Sequence, residues 1–282
     1  MATVQVLRPS AGNEGDYPVV IATTMKNLQI GDQVLTGRNQ YEKIYSFGHY
    51  HTTKRAEFFQ IHSEGARVPL EVTAEHLVFL HDDPIPVPAK SIQVGNTLHL
   101  QDGGSSKVTK ITKVRRNGIY APLTTGGTLI VDEVKASSYI SFGHGEIPSR
   151  VLSPFSDHDI IHFSLAPYRL LCYGISTKFC RQSFYHDNGM PVYVHYGLQL
   201  LSFLFDRTHD SDSSQQESSI GWLMMIALRW IVFMVVFGFL GIFRTLEVFF
   251  GASNAPLVLL VLAIKLFSYN RNHSRKTPTH TF

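Results

Sequence analysis

Lys26-Asn-Leu-Gln-Ile-Gly-Asp-Gln-Val-Leu35 returns as Lys90-Ser-Ile-Gln-Val-Gly-Asn-Thr-Leu-His99, with Gly31 and Gly95 in register (95 − 31 = 64). A repeat of this kind in a chain that is not a solenoid implies two similar β-rich halves packed as one body, in which equivalent residues converge on a shared centre. The correspondence continues past the first phrase. Strand-like Tyr41 to His49 matches Lys107 to Val114 loosely, and Phe58 to Ile61 matches Gly118 to Leu123. Val72-Thr-Ala-Glu-His-Leu77 then matches Val134-Lys-Ala-Ser-Ser-Tyr139, which makes His76 and Ser138 equivalent.

Outward from the repeat, short apolar runs follow one another from Val19 to Phe142, with Gly, Asp or Pro between them. This close spacing predicts an all-β body with a pseudo-twofold duplicated fold over residues 1–142. Thr24 to Leu28 and Pro88 to Ile92 read as short helical turns ahead of each repeat phrase. Thr3 to Leu7 alternates as a strand, and Pro9 to Tyr17 is a loop rich in Gly, Asn, Ser and Asp. The opening Met1-Ala-Thr-Val-Gln-Val lacks a charged start followed by an apolar core, so no secretory leader is expected there and the chain reads as a strand already under way. Residues 143–219 form a Gly, Pro and Ser linker followed by a mixed, partly helical region, polar over Asp206 to Ser219.

The remaining apolar residues are concentrated near the C-terminus. Ile220 to Phe243 is nearly continuous, broken only by Arg229, and its length of roughly 24 residues exceeds the roughly 20 needed to cross a bilayer. A transmembrane helix is therefore expected over 220–243. Residues 246–267 are expected to form a second membrane or interfacial helix, weakened as one continuous helix by Gly251, Asn254 and Pro256. The tail 268–282 is basic, which places it on the cytosolic side by the positive-inside rule. These features point to a membrane, in the secretory pathway or at the cell surface. The net charge of +3 comes from scattered basic residues, which excludes a nucleic-acid partner. Cys172 and Cys180 can pair in an oxidising compartment, but two thiols make no disulfide framework.

The chemistry is expected at Thr73-x-x-His76. A histidine there can donate a proton to a departing amide nitrogen, and a threonine three residues earlier can hydrogen-bond the same peptide. The equivalent position in the other half holds Ser138, a second group able to carry a proton. A competing cluster, Asp157-His158-Asp159 with His162, places two histidines at i, i+4. It lacks the glutamate of a helical zinc motif and further ligands, so no metal and no cofactor is expected.

The repeat phrase, Val72-Thr-Ala-Glu-His-Leu-Val-Phe-Leu80, and Tyr120-Ala-Pro-Leu-Thr-Thr-Gly-Gly-Thr-Leu-Ile-Val-Asp132 with Ala136-Ser-Ser-Tyr139 together resemble the Hint module of hedgehog C-terminal autoprocessing domains, related to inteins. The resemblance covers about half the chain and extends faintly to His162-Phe-Ser-Leu-Ala-Pro-Tyr-Arg-Leu-Leu171. It implies autocatalytic peptide cleavage of the chain's own upstream polypeptide by an N-to-S acyl shift, the thioester being released to water, a thiol or a sterol. It implies that Thr73 and His76 activate the scissile peptide. Ser138 falls where hedgehog proteins have a second cysteine, and His49 where sterol-using members have an aspartate. A histidine there can act as a base near neutral pH. The family's nucleophilic cysteine would lie a few residues before Ala2, so the chain as written is expected to be truncated ahead of it and inactive in cis. The alternative expectation is a catalytically inactive β-module that binds a protein or lipid partner at the membrane.

Overall fold

A computed structural model of the chain describes residues 2–8, 17–141, 156–175, 177–205, 235 and 238–251. The chain divides into two compact units, Met1–Leu165 with Lys178–Gln216, and Ala166–Thr177 with Glu217–Phe282.

The first unit is built on two long strands, β4 (Gln40–Ser63) and β9 (Ser105–Thr124), which run antiparallel from Ile44 opposite Thr124 to Ser63 opposite Val108. Register shifts at Ile44/Ser46, Phe47/His49, His51/Arg55 and His62/Ser63 bend this pair so that one ribbon contributes to both ends of the body. At one end β4 continues into β3 (Gln33–Gly37), which pairs with β1 (Thr3–Arg8), and β1 pairs with β2 (Val19–Thr24). At the other end β9 continues into β8 (Thr97–His99), then β6 (His76–Leu80), β11 (Val134–Ile140) and β10 (Thr128–Val131). Strand β5 (Leu70–Val72) pairs with β4, and β7 (Asp83–Pro88) with β6. Alternation turns Val4 and Val6 to one buried face, where Ile44, Phe47, Leu98 and Val108 join them in one core.

The duplication is visible bond by bond. Gly31 N–H donates to the Ile44 carbonyl at 2.8 Å, and Gly95 N–H to the Val108 carbonyl at 2.8 Å, both acceptors again 64 residues apart (108 − 44 = 64). Ile44 N–H returns a bond to Asp32 O, as Val108 N–H does to Asn96 O. The side chain of Asp32 accepts from Gln29 N–H at 2.9 Å, and that of Asn96 from Gln93 N–H at 2.8 Å. The turn requires left-handed backbone at its glycine, with φ of +99° at Gly31 and +96° at Gly95, which explains why both phrases keep glycine there. The expected helical turns are short 3₁₀ segments, Met25–Asn27 and Ala89–Ser91.

Beyond the strands, Ser156 caps α1 (Asp157–Ser164) by accepting from Asp159 N–H, while the Asp159 carboxylate accepts from Ser156 N–H. The region after 156 is partly helical as expected, with α2 (Ala166–Leu170) and α3 (Val192–Phe205) following. Among the described residues no helix is long and apolar enough to cross a membrane. The expected span 220–243 lies outside the described residues except at 235 and 238–243, as do 252–267 of the second segment, Arg229, the linker 142–155 and the polar stretch 206–219. Where the two expected segments meet, one helix runs unbroken over residues 238–251 through Arg244. Its charge does not end the helix because Arg244 pairs with Glu247 one turn on, at 2.7 Å.

Candidate functional site

The register of the two halves builds the site. The equivalent strands β6 and β11 pair with each other, Ala136 opposite Val78 and Ile140 opposite His76. Thr73 and His76 flank a tight turn closed by His76 N–H donating to the Thr73 carbonyl at 3.0 Å. That turn is fixed from outside by Lys90 N–H on Ala74 O, by Ser141 N–H on Glu75 O, and by the Lys90 to Glu75 ion pair at 2.6 Å. A cavity of about 280 Å³ opens beside it, and Thr73, His76, Ser138 and His49 all line it, together with Ala2 at the start of the first strand. All four residues expected from the sequence are thus brought to one cavity.

Each of these groups carries a definite electrostatic state. The Nε2 of His76 lies 2.8 Å from the Ser137 carbonyl oxygen, which can only accept, so Nε2 holds the ring proton and Nδ1 is the basic nitrogen. Burial pushes the His76 pKa below the ordinary histidine value, a drop that the Ser137 bond partly opposes. The imidazole is therefore neutral at neutral pH and, once protonated, a stronger acid than an ordinary imidazolium. His49 sits at the Phe47/His49 bulge of β4. Its pKa is lowered first by burial, then by Lys54 and His51, against a backbone hydrogen bond with Asn188. Its Nε2 and the Oγ of Ser138 are buried polar atoms that no protein group bonds, and Ser138 is only 3% exposed. Two such atoms in one cavity are the arrangement of a site that binds polar groups, since a buried hydroxyl or imidazole left unbonded costs about 1–3 kcal/mol.

Several residues of the site were not singled out from the sequence. Asp132 accepts from both Thr3 N–H (3.0 Å) and Thr3 Oγ1 (2.6 Å), while Asp132 N–H donates to Thr3 O (3.0 Å), so the first strand is clasped beside the cavity. Burial raises the Asp132 pKa against those two hydrogen bonds. Glu71 lines the wall next to Thr73 and receives Arg116 through two bonds, of 2.7 and 3.1 Å, which hold its carboxyl below the usual carboxylate range. Met190 and Val194, far downstream, close another wall. Tyr185 supports it by accepting from Phe47 N–H at 2.8 Å, and the Gly189 carbonyl accepts from Tyr50 N–H at 2.7 Å. The only advance signal for Asp132 is its place after the apolar run Thr128 to Val131; Met190 and Val194 carry none.

The histidines weighed as metal ligands do other work. His158 Nδ1 meets Ser137 Oγ at 2.9 Å, His162 Nδ1 meets the Tyr139 hydroxyl at 2.9 Å, and Asp157 accepts from Ser141 Oγ at 2.6 Å. Residues 137, 139 and 141 alternate along one face, so α1 is docked on β11 by three polar bonds. Among the described residues no group of three or more potential ligands converges on a metal position.

Among known proteins, residues 19–206 match the family described as Hint module. Protein hedgehog of Drosophila yakuba is 30% identical over 157 residues, covering 51% of this chain and 31% of that protein. The tiggy-winkle hedgehog protein of Danio rerio is 26% identical over 201 residues, covering 65% of this chain and 45% of the relative. The chain thus spans less than half the length of these curated relatives. The crystal structure of gp41-1 intein superposes with a TM-score of 0.37 at 13% identity, covering 49% of this chain and 98% of that one.

Proposed function

The chain belongs to the Hint family, and from that premise we propose that its β-domain cuts the peptide ahead of it by an N-to-S acyl shift, with Thr73 and His76 as the activating pair. The observation that carries this reading is the shared cavity, where Ala2, the entry point of the first strand, meets Thr73, His76 and Ser138. The attacking sulfur is that of a cysteine ahead of Ala2, since neither Cys172 nor Cys180 lines the cavity. In the proposed sequence the thiol gives its proton to Nδ1 of neutral His76 as the C–S bond forms. The imidazolium returns that proton to the amide nitrogen as the C–N bond breaks. Thr73 bonds the strained peptide. Water, a thiol or a sterol hydroxyl then attacks the thioester and frees the cysteine, with His49 as the base that accepts the incoming proton. Ser138 holds the reacting carbonyl or its partner through its free hydroxyl.

The same proposal includes a membrane tether over 220–243, supported by the length and apolar character of that stretch, and a place in the secretory pathway or at the cell surface. The catalytic part is tested with a chain extended upstream by a reporter ending in Gly-Cys and incubated with dithiothreitol. The expected product is a reporter carrying the thiol at its C-terminus, identified by mass spectrometry. A folded extended chain that stays whole under these conditions overturns the reading.

A further inference from the structure

The helix over residues 238–251 in the second unit is inverted relative to a helix on a water-soluble surface. Val235, Phe239, Ile242 and Phe249 follow one another at helical spacing and are exposed, Phe249 at 75%, with Val248 at 66% beside them. The opposite face carries Leu240 and Glu247, buried to 6% and 8% exposure. Glu247 is held from within the same unit by fully buried Arg169 on α2, whose Nε reaches one carboxylate oxygen at 2.6 Å and whose terminal nitrogen reaches the other at 2.7 Å. Arg244 adds a third bond at 2.7 Å. The carboxylate and the Arg169 guanidinium are thus gathered inside, with Arg244 partly exposed at the edge, while hydrocarbon is turned outside.

The polar side chain on the exposed side follows the same pattern. Thr245 donates its hydroxyl to the Gly241 carbonyl at 2.8 Å, four residues back, and so asks nothing of its surroundings. The sequence on either side, Ile220 to Phe237 and Pro256 to Phe267, is largely apolar as well, interrupted by Arg229 and Lys265, and the first stretch belongs to a run long enough to cross a bilayer. We propose that the Val235, Phe239, Ile242 and Phe249 face lies against bilayer hydrocarbon, and that Arg169 makes this immersion possible by neutralising Glu247 from the inside. This rests on the membrane-tether reading and adds to it a described surface and the residue on which that surface depends.

The test uses the full chain reconstituted in phosphatidylcholine vesicles, with an environment-sensitive fluorophore attached through Phe249→Cys and, as a control, through Val94→Cys on the β-domain. The unsubstituted chain, treated with the same reagent, serves as the blank. Nitroxide on the lipid acyl chains is expected to quench the probe at position 249 and to spare the one at 94. Adding Arg169→Ala removes two of the three bonds on Glu247, leaves it only the partly exposed Arg244, and is expected to reduce the quenching at position 249. Arg169→Ala with Glu247→Gln is expected to return it, which separates charge compensation from a failure to fold. A chain that partitions into vesicles while the probe at 249 stays unquenched, or is quenched equally with Arg169→Ala, overturns this inference and leaves the tether standing. Protection of position 249 only on cross-linking to a second copy overturns it in favour of self-association. A chain that does not partition at all overturns both.

Discussion

The two halves of the β-domain share a backbone and differ in what they carry. At the Gly31 and Gly95 turns they are interchangeable down to the paired bonds on Ile44 and Val108. At the equivalent positions 76 and 138 one half carries an imidazole and the other a hydroxyl, and both line the same cavity. The scaffold is therefore symmetric and the chemistry is not. A symmetric frame brings two equivalent positions to one cavity, and divergence has placed an imidazole at one and a hydroxyl at the other.

The largest expected effect breaks that comparison at its functional end. In the cysteine-extended chain, His76→Ala is expected to slow thiol-induced cleavage by about 10²–10⁴-fold, the range for a lost general acid–base group. Ser138→Ala should cost no more than about tenfold, since it removes one neutral hydrogen bond. Cleavage time courses followed by gel decide it, and equal losses would mean that the halves are functionally as well as structurally equivalent. Next, Gly31→Ala and Gly95→Ala should each destabilise by roughly 1–3 kcal/mol. Nothing lies within 4 Å of either added Cβ, so backbone strain alone sets the cost and the two values should agree. Urea unfolding measures both, and a large inequality would show that one half folds around the other.

Acid sensitivity should fall unevenly on the two halves. His49 and His76 in the first half and His99 in the second all have pKa values below the ordinary 6.5, chiefly through burial. Folding favours their neutral forms, so the stability they contribute is complete above about pH 6.5 and is lost as the pH falls through the lowered values. His49→Gln with His76→Gln should flatten the acid limb of stability against pH more than His99→Gln does, by urea midpoints between about pH 4.5 and 7. The smallest effect sharpens the symmetry. Asp32→Asn and Asn96→Asp exchange the side chains that close the two turns and should each change stability by less than about 0.5 kcal/mol.

Much of this was legible before any coordinates because the turn phrase is over-determined. It needs a glycine with positive φ and a short side-chain acceptor one residue later, and both halves print that requirement. The pair at 76 and 138 followed from counting along the same repeat. The Thr3 to Asp132 clasp was not legible, because it joins residues 129 apart through a side chain that local pattern cannot distinguish from any loop aspartate. Met190 and Val194 escaped for the same reason. The Arg244 to Glu247 pair was not legible either, because a charge beside an apolar run does not reveal its partner. That partner system includes Arg169, which reaches Glu247 across 78 residues of chain.

The Asp132 clasp has a consequence for what is left after the proposed reaction. Everything that fixes Thr3 comes from within the β-domain, through Asp132 on one side and β2 and β3 on the other. Severing the polypeptide ahead of Ala2 removes none of those bonds. The remnant should leave its one turnover as sturdy as it entered, a spent tool that still fits its own workpiece.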